Sequence, residues 1–155
     1  MPNVGELAPD FELRDDEGKA HRLSDRRGHF TVVYFYPADD TPGCTKEACS
    51  FRDEKDAFDG EDTEVWGISP QGAASKAKFR ARYGLNFSLL ADEDHAVADA
   101  YGAWGEKSNY GQTYMGILRT SFLVDPDGKV AHVWKKVSPD GHAAKVLEVV
   151  KAARV

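Results

Sequence analysis

Thr31-Val32-Val33-Tyr34-Phe35-Tyr36 runs into Pro37-Ala38-Asp39-Asp40-Thr41-Pro42-Gly43, and then into Cys44-Thr45-Lys46-Glu47-Ala48-Cys49. The first six residues are β-branched or aromatic with no breaker, the pattern of a central strand. The next seven are loop chemistry. From Pro42 the period changes. Cys44, Ala48, Phe51, Lys55 and Phe58 share one helical stripe, which predicts a helix over residues 42–58. Thr41 suits its N-cap, and Pro42 sits where a first-turn proline is tolerated.

The flanking chain repeats this alternation. Asp15-Asp16-Glu17-Gly18 is turn chemistry between Phe11-Leu13 and Ala20-Leu23, which predicts a short hairpin over residues 10–23. Glu64 to Ser69 reads as the next strand, and Ser69-Pro70 as the start of a helix reaching about Tyr83. Phe87 to Leu90 reads as a short buried strand, and Val97 and Tyr101 lie four apart on a short helix. Residues 102–118 show no period and contain four glycines, so they read as a long loop, a length that is often functional. Arg119–Val124 and Lys129–Val133 form a hairpin around Asp125-Pro126-Asp127-Gly128. Ala143, Val146, Leu147 and Val150 mark a closing amphipathic helix that Ser138-Pro139 would open. The fold class is α/β, a mixed parallel and antiparallel sheet layered with helices, with residues 1–155 as one domain.

Composition removes several function classes. Hydrophobic residues make up 41% and charged residues 30%, the balance of a soluble globular chain and not a disordered one. Lys and Arg total 20 against 26 Asp and Glu, a net charge of −6, which opposes sequence-independent nucleic-acid binding. The longest strongly apolar run, Val32 to Tyr36, is too short to cross a bilayer. Met1 to Phe11 lacks the basic and apolar regions of an export signal, so a reducing cytoplasm is expected. Two cysteines there suit free, catalytic or redox-active thiols better than a disulfide scaffold.

Other motifs fail. Gly18-Lys19 and Gly128-Lys129 lack the glycine five positions earlier that a phosphate-binding loop needs. Gly67-Ile68-Ser69-Pro70-Gln71-Gly72 is one residue too long for a nucleophile elbow. Lys129 occupies a would-be calcium ligand position after Asp125-Pro126-Asp127-Gly128. The five histidines have no ligand spacing to each other or to the cysteines, and His95 reads as part of a solvated helix start.

The chemistry therefore concentrates at Cys44. With Thr41 as N-cap, Cys44 falls in the first helical turn, where free backbone N–H groups and the positive helix end favour a thiolate. A buried cysteine acting as a small hydrophobe is the plainer reading, but the end of a central strand is where open α/β sheets bind ligands. Gly43 lets substrate or backbone approach closely. Cys49 follows five residues later, about 140° round the helix, with the two Cα atoms roughly 8.6 Å apart. A disulfide needs them within about 7 Å. Either Cys49 is a buried structural thiol, which geometry alone favours, or the helix unwinds when the pair reacts.

Pro37-x-x-x-Thr41-x-x-Cys44 resembles the active-site signature of the peroxiredoxins, and Thr41 to Cys49 resembles their peroxiredoxin Q branch, also called bacterioferritin comigratory proteins. The similarity runs along nearly the whole chain, through Gly5-Glu6-Leu7-Ala8-Pro9-Asp10-Phe11, Arg119-Thr120-Ser121-Phe122-Leu123-Val124-Asp125 and the closing helix. The resemblance implies a thioredoxin-like fold, a central mixed β-sheet flanked by helices on both faces. It also implies a thiol peroxidase that reduces hydrogen peroxide and organic hydroperoxides without metal, haem or other cofactor. Cys44 matches the peroxidatic cysteine, Cys49 the resolving cysteine, Thr41 and Arg119 further catalytic positions, and Pro37 a shielding proline. The match at Cys49 reverses the structural reading that helix geometry prefers. Glu47 matches a recurring acid, read here as an ion-pairing group. Thioredoxin or a similar dithiol is the reductant the family implies, and a monomer its common state.

Without the resemblance, Arg119 reads as a strand-opening surface charge. Trp104, Tyr110 and Tyr114 could line a substrate or partner surface or pack in the core. A disulfide oxidoreductase without peroxidase chemistry is the rival enzyme. The chain lacks Cys-x-x-Cys, and it carries Arg119-Thr120 where thioredoxin-like oxidoreductases place a residue and a cis-proline. A non-catalytic holdase module would need an exposed apolar surface and no peroxide consumption.

Overall fold

The structure is a computed structural model and describes residues 1–154. The stretch around Cys44 folds as its pattern requires. Strand β3 (Phe30–Phe35) is buried from its second residue onward, and helix α1 (Pro42–Asp53) follows after a six-residue loop. Around them are β1 (Glu12–Asp15), β2 (Ala20–Arg22), α2 (Lys55–Gly60), β4 (Thr63–Ser69), α3 (Ala73–Tyr83), β5 (Ser88–Ala91) and α4 (Ala96–Ala100). The chain continues through β6 (Trp104–Asn109), β7 (Gln112–Ile117), β8 (Thr120–Val124), β9 (Val130–Trp134) and α5 (His142–Ala153).

Seven strands form one sheet in the order β2-β1-β5-β4-β3-β8-β9. Strands β3, β4 and β5 are parallel, joined by helical crossovers, while β1, β2, β8 and β9 pair antiparallel to their neighbours. The expected mixed sheet with helices on both faces is what the chain forms. Alternation along β3 divides the core. Val32 and Tyr34 face the apolar stripes of α1, α3 and α5, with Phe58 of α2. Val33 and Phe35 face the other layer, built from Phe11, Leu23, Ala98 and Tyr101. Gly67 of β4 is required here. A Cβ on it would lie 2.8 Å from the Tyr34 ring, and that ring stacks at 4.8 Å on Phe51 of α1. The absent side chain thus seats the helix that carries both cysteines.

Four expectations change. The helix over 42–58 divides at Glu54 (φ −96°, ψ 7°) into α1 and α2, although Phe51 and Phe58 stay on the buried stripe. Helix α3 begins at Ala73 with Gly72 as its cap, because Ser69 is the last residue of β4. Helix α5 begins at His142 after Gly141 in the left-handed region (φ +67°), not at Ser138-Pro139. Residues 102–118, read as a loop, form the hairpin β6–β7, paired from Trp104–Ile117 to Asn109–Gln112. Tyr110 and Gly111 both sit at positive φ in its two-residue turn, the geometry that matches strand twist. Most of the hairpin is exposed, so neither strand shows apolar alternation.

The segment before β1 lies along the start of β9. Leu7 bridges Lys129, the Gly5 N–H donates to the Val130 carbonyl at 2.8 Å, and the Val130 N–H donates to the Glu6 carbonyl at 2.9 Å. No described helix is long and apolar enough to cross a membrane.

Candidate active site

Sheet register assembles the site. Phe35 pairs with Thr120, so the chain just before β8 lies beside the chain just after β3. This brings Arg119 to α1 across 75 residues of sequence. Arg119 Nη2–H donates to Cys44 Sγ at 3.3 Å, and Nη1–H donates to Glu47 Oε1 at 2.6 Å. Arg119 thus bridges the other two, and it alone keeps some exposure: Arg119 is 17% exposed, Cys44 1% and Glu47 0%.

Electrostatics follow burial. Enclosure pushes the Glu47 carboxyl up to about 7, because Arg119 only partly offsets the loss of water. Glu47 Oε2 has no partner in the structure, which leaves one lone-pair set of that buried acid unmatched. Burial works against the charge on Arg119 too, but Glu47 and Cys44 together outweigh it and hold its pKa above the usual range. The two shifts differ in balance because Arg119 keeps a path to water and Glu47 has none. Glu47 lies within ion-pairing distance of Arg119, the contact that its reading as an ion-pairing group expects.

Thr41 is the N-cap residue of α1 (φ −96°, ψ 154°), and its carbonyl accepts the Thr45 N–H at 2.8 Å. Its hydroxyl makes no capping bond and donates instead to the Ala38 carbonyl at 2.9 Å. That bond tightens the turn before Cys44. Gly43 packs below Arg119 and Pro139, which lie 3.4 and 3.5 Å from where its Cβ would stand. Pro37 is half-buried, and its carbonyl accepts from Gln71 Nε2 at 3.2 Å. Cys44 and Cys49 are both free thiols on α1, Cys44 buried and Cys49 half-buried. Five intervening helical steps keep them on different sides.

Two lysines near the site escape a sequence reading. Lys107 of β6 is half-buried with its stem across Gly116. Burial lowers its pKa, the charge of Arg119 adds to that, and Cys44 opposes it. Lys76 of α3 is fully buried beneath the loop that carries Pro37. Neither residue has a local signal, since a lysine in an amphipathic element reads as solvated. Tyr110 and Tyr114 are exposed, whereas Trp104 stacks on His95 with ring centroids 3.7 Å apart.

The AhpC/TSA family matches residues 4–133. Peroxiredoxin Bcp of Bacillus subtilis is 43% identical over 148 residues, 96% of this chain and 94% of that protein. Peroxiredoxin Bcp of Escherichia coli is 44% identical over 148 residues, 96% of this chain and 95% of that one. Among solved structures, the bacterioferritin comigratory protein of Xanthomonas campestris superposes with a TM-score of 0.92 at 36% identity, over 99% of this chain and 100% of that one. A mutant of Xylella fastidiosa PrxQ superposes with a TM-score of 0.94 at 30% identity, over 100% of this chain and 99% of that one. Motif, register and full-length similarity agree, and the chain belongs to the AhpC/TSA family, within its Bcp/PrxQ peroxiredoxins.

Proposed function

We propose that the chain, acting as one unit over residues 1–155, is a thiol-dependent peroxidase whose reacting atom is Cys44 Sγ. The observation that carries this reading is the Arg119 guanidinium 3.3 Å from that sulfur, at the N-terminal turn of α1. A fixed cation and free helix-end amides stabilise a thiolate, and they remain in place for the charge that develops as a peroxide O–O bond breaks. The thiolate attacks one peroxide oxygen, a sulfenic acid forms, and the second oxygen leaves as alkoxide or hydroxide that takes up a proton. The Gly43–Cys44 amides join Arg119 as donors to the peroxide, and Thr41 joins them when its hydroxyl turns from the Ala38 carbonyl to the bound peroxide. Pro37 offers no N–H to compete and limits water access.

Cys49 then condenses with the sulfenic acid, releasing water and forming the Cys44–Cys49 disulfide. Thioredoxin or a similar external dithiol restores both thiols by exchange. Substrates are hydrogen peroxide and organic hydroperoxides. The Xanthomonas campestris relative is described by its alkyl peroxide reduction activity, which supports the second class. The protein works as a monomer in the cytoplasm, the state and compartment expected of the branch it resembles.

The test is peroxide consumption coupled to thioredoxin, its reductase and NADPH. Cys44→Ser abolishes turnover while the fold stays intact, because a serine hydroxyl is not ionised at neutral pH. Undiminished turnover in that variant overturns the assignment. Turnover that needs no peroxide, with dithiol exchange retained, would instead identify a disulfide oxidoreductase.

A further inference from the structure

The loop between β3 and α1 is gripped from one side by a buried polar cluster that the peroxide chemistry does not use. Lys76, on the first turns of α3, has no solvent exposure, and its partner Asp39 is only 2% exposed at the side chain. Lys76 Nζ donates to Asp39 Oδ1 at 3.3 Å and Oδ2 at 3.4 Å, to Tyr36 Oη at 3.4 Å, and to Ser69 Oγ. Asp39 also accepts from Tyr36 Oη at 2.6 Å and Ser75 Oγ at 2.8 Å, while the Ser69 hydroxyl donates to Gln71 Oε1 at 2.7 Å. Gln71 completes the grip. Its Oε1 accepts the Asp39 N–H at 3.0 Å and its Nε2 donates to the Pro37 carbonyl at 3.2 Å.

The next residue is held as well. Asp40 sits at φ +59°, a conformation L-residues rarely adopt, and its carboxylate accepts from Arg82 and Tyr83 at the far end of α3, both at 2.8 Å. Both ends of α3 thus hold Asp39 and Asp40, and Gln71 just ahead of α3 holds Pro37, directly before Thr41 and Cys44. Burial pulls the Lys76 pKa down, and Asp39 opposes that shift. A buried ammonium and carboxylate are costly unless they are paired and fully hydrogen-bonded, and this pair is. An apolar pair of the same volume would fill the space with less desolvation, so the ions supply geometry more than cohesion.

We propose that Lys76 is a positioning residue for the peroxide reaction, acting through Asp39 to hold the Pro37–Thr41 segment in register over Cys44. The proposal rests on Cys44 being the reacting thiol. Peroxide cleavage needs several donors set around one O–O bond, and a misplacement of about 1 Å costs on the order of a hundredfold. Alkylation by iodoacetamide needs only a thiolate and access. The two reactions therefore separate a displaced loop from a lost fold.

The experiment measures both rates at Cys44 in Lys76→Met and in the double variant Asp39→Asn/Lys76→Met. The double variant leaves no uncompensated buried carboxylate, so it folds even where the single one does not. The expected result is a peroxide rate down at least about tenfold in the folded variants, with iodoacetamide alkylation unchanged or faster. A double variant that regains the wild-type peroxide rate would show that the pair serves folding alone. Parallel loss of both rates would overturn the proposal in the same way. Cys44→Ser is assayed alongside for peroxide turnover. Turnover in that variant would remove the reading of Cys44 itself, independently of Lys76.

Discussion

Arg119 divides one guanidinium between a sulfur and a buried acid, and that division sets its expected behaviour. Arg119→Met removes a cationic donor from both the thiolate and the transition state. The second-order rate with hydrogen peroxide should fall by about 10²-fold or more, read by stopped-flow tryptophan fluorescence. Arg119→Lys should recover only part of it, because an ammonium reaches one partner where the planar fork reaches two. A wild-type rate in Arg119→Met would leave the residue a mere ion-pair partner of Glu47. Cys44, Thr41 and Gly43 are legible from sequence because one helix start brings them together. Arg119 is not, since it arrives through a strand register set 75 residues away and only the family resemblance singles it out. Lys76 is hidden more deeply, because nothing local distinguishes a lysine that pairs across 37 residues from one in water.

Helix α1 holds Cys44 and Cys49 too far apart to bond, so forming their disulfide requires its first turns to unwind. Gly43 and Thr45 are weak helix formers, which lowers the resistance at that end. The other end is anchored. Phe51 stacks on Tyr34, and Arg52 donates through Nη1 to the Tyr83 carbonyl at 2.6 Å. Unwinding should therefore stop before Phe51. Hydrogen exchange on the reduced and disulfide forms should show protection lost between Thr45 and Ser50 on oxidation, with β3 still protected. Equal protection in both forms, with the disulfide confirmed by mass, would contradict this account. At the same scale, the strands and long helices were legible because their apolar periods are long and buried. The hairpin β6–β7 was not, because exposed strands need no alternation and Tyr110-Gly111 lacks the usual Asn-Gly turn signal.

Across the molecule, two buried groups bend stability in opposite directions with pH. His142 of α5 shares a 2.8 Å hydrogen bond with Ser121 of β8 and meets Phe51 and Trp134 edge-on. Burial pulls its pKa down to about 4, with Lys145 and Arg119 adding to the shift. Between pH 4 and its ordinary value near 6.5, the unfolded chain binds a proton there that the folded chain does not, so stability rises with pH. Glu47, pushed up to about 7, behaves oppositely. From about pH 4.5 to 7 the folded chain keeps a proton that the unfolded chain releases, so stability falls with pH. In the native protein the two slopes offset one another over the shared window. Glu47→Gln should unmask the rise by up to about 1.4 kcal/mol per pH unit between pH 4.5 and 6.5, and His142→Phe should unmask the fall. Urea denaturation at several pH values measures both, and parallel curves for the three proteins would refute the opposed pair.

The strand that the opening segment lays along Val130 also bears on how copies of this chain meet one another. A sheet ends where its last strand has no neighbour, and such a margin invites a strand from another molecule. Here residues 5–8 already occupy the start of that margin, with Val130 satisfied on both its N–H and its carbonyl. On this side of the sheet the remainder of β9, from Ala131 to Trp134, is left as an open border. Cleaving the chain after Ala8 would turn that covered margin into a vacant template, and the protein would gain a route to edge-to-edge association without any change at Cys44.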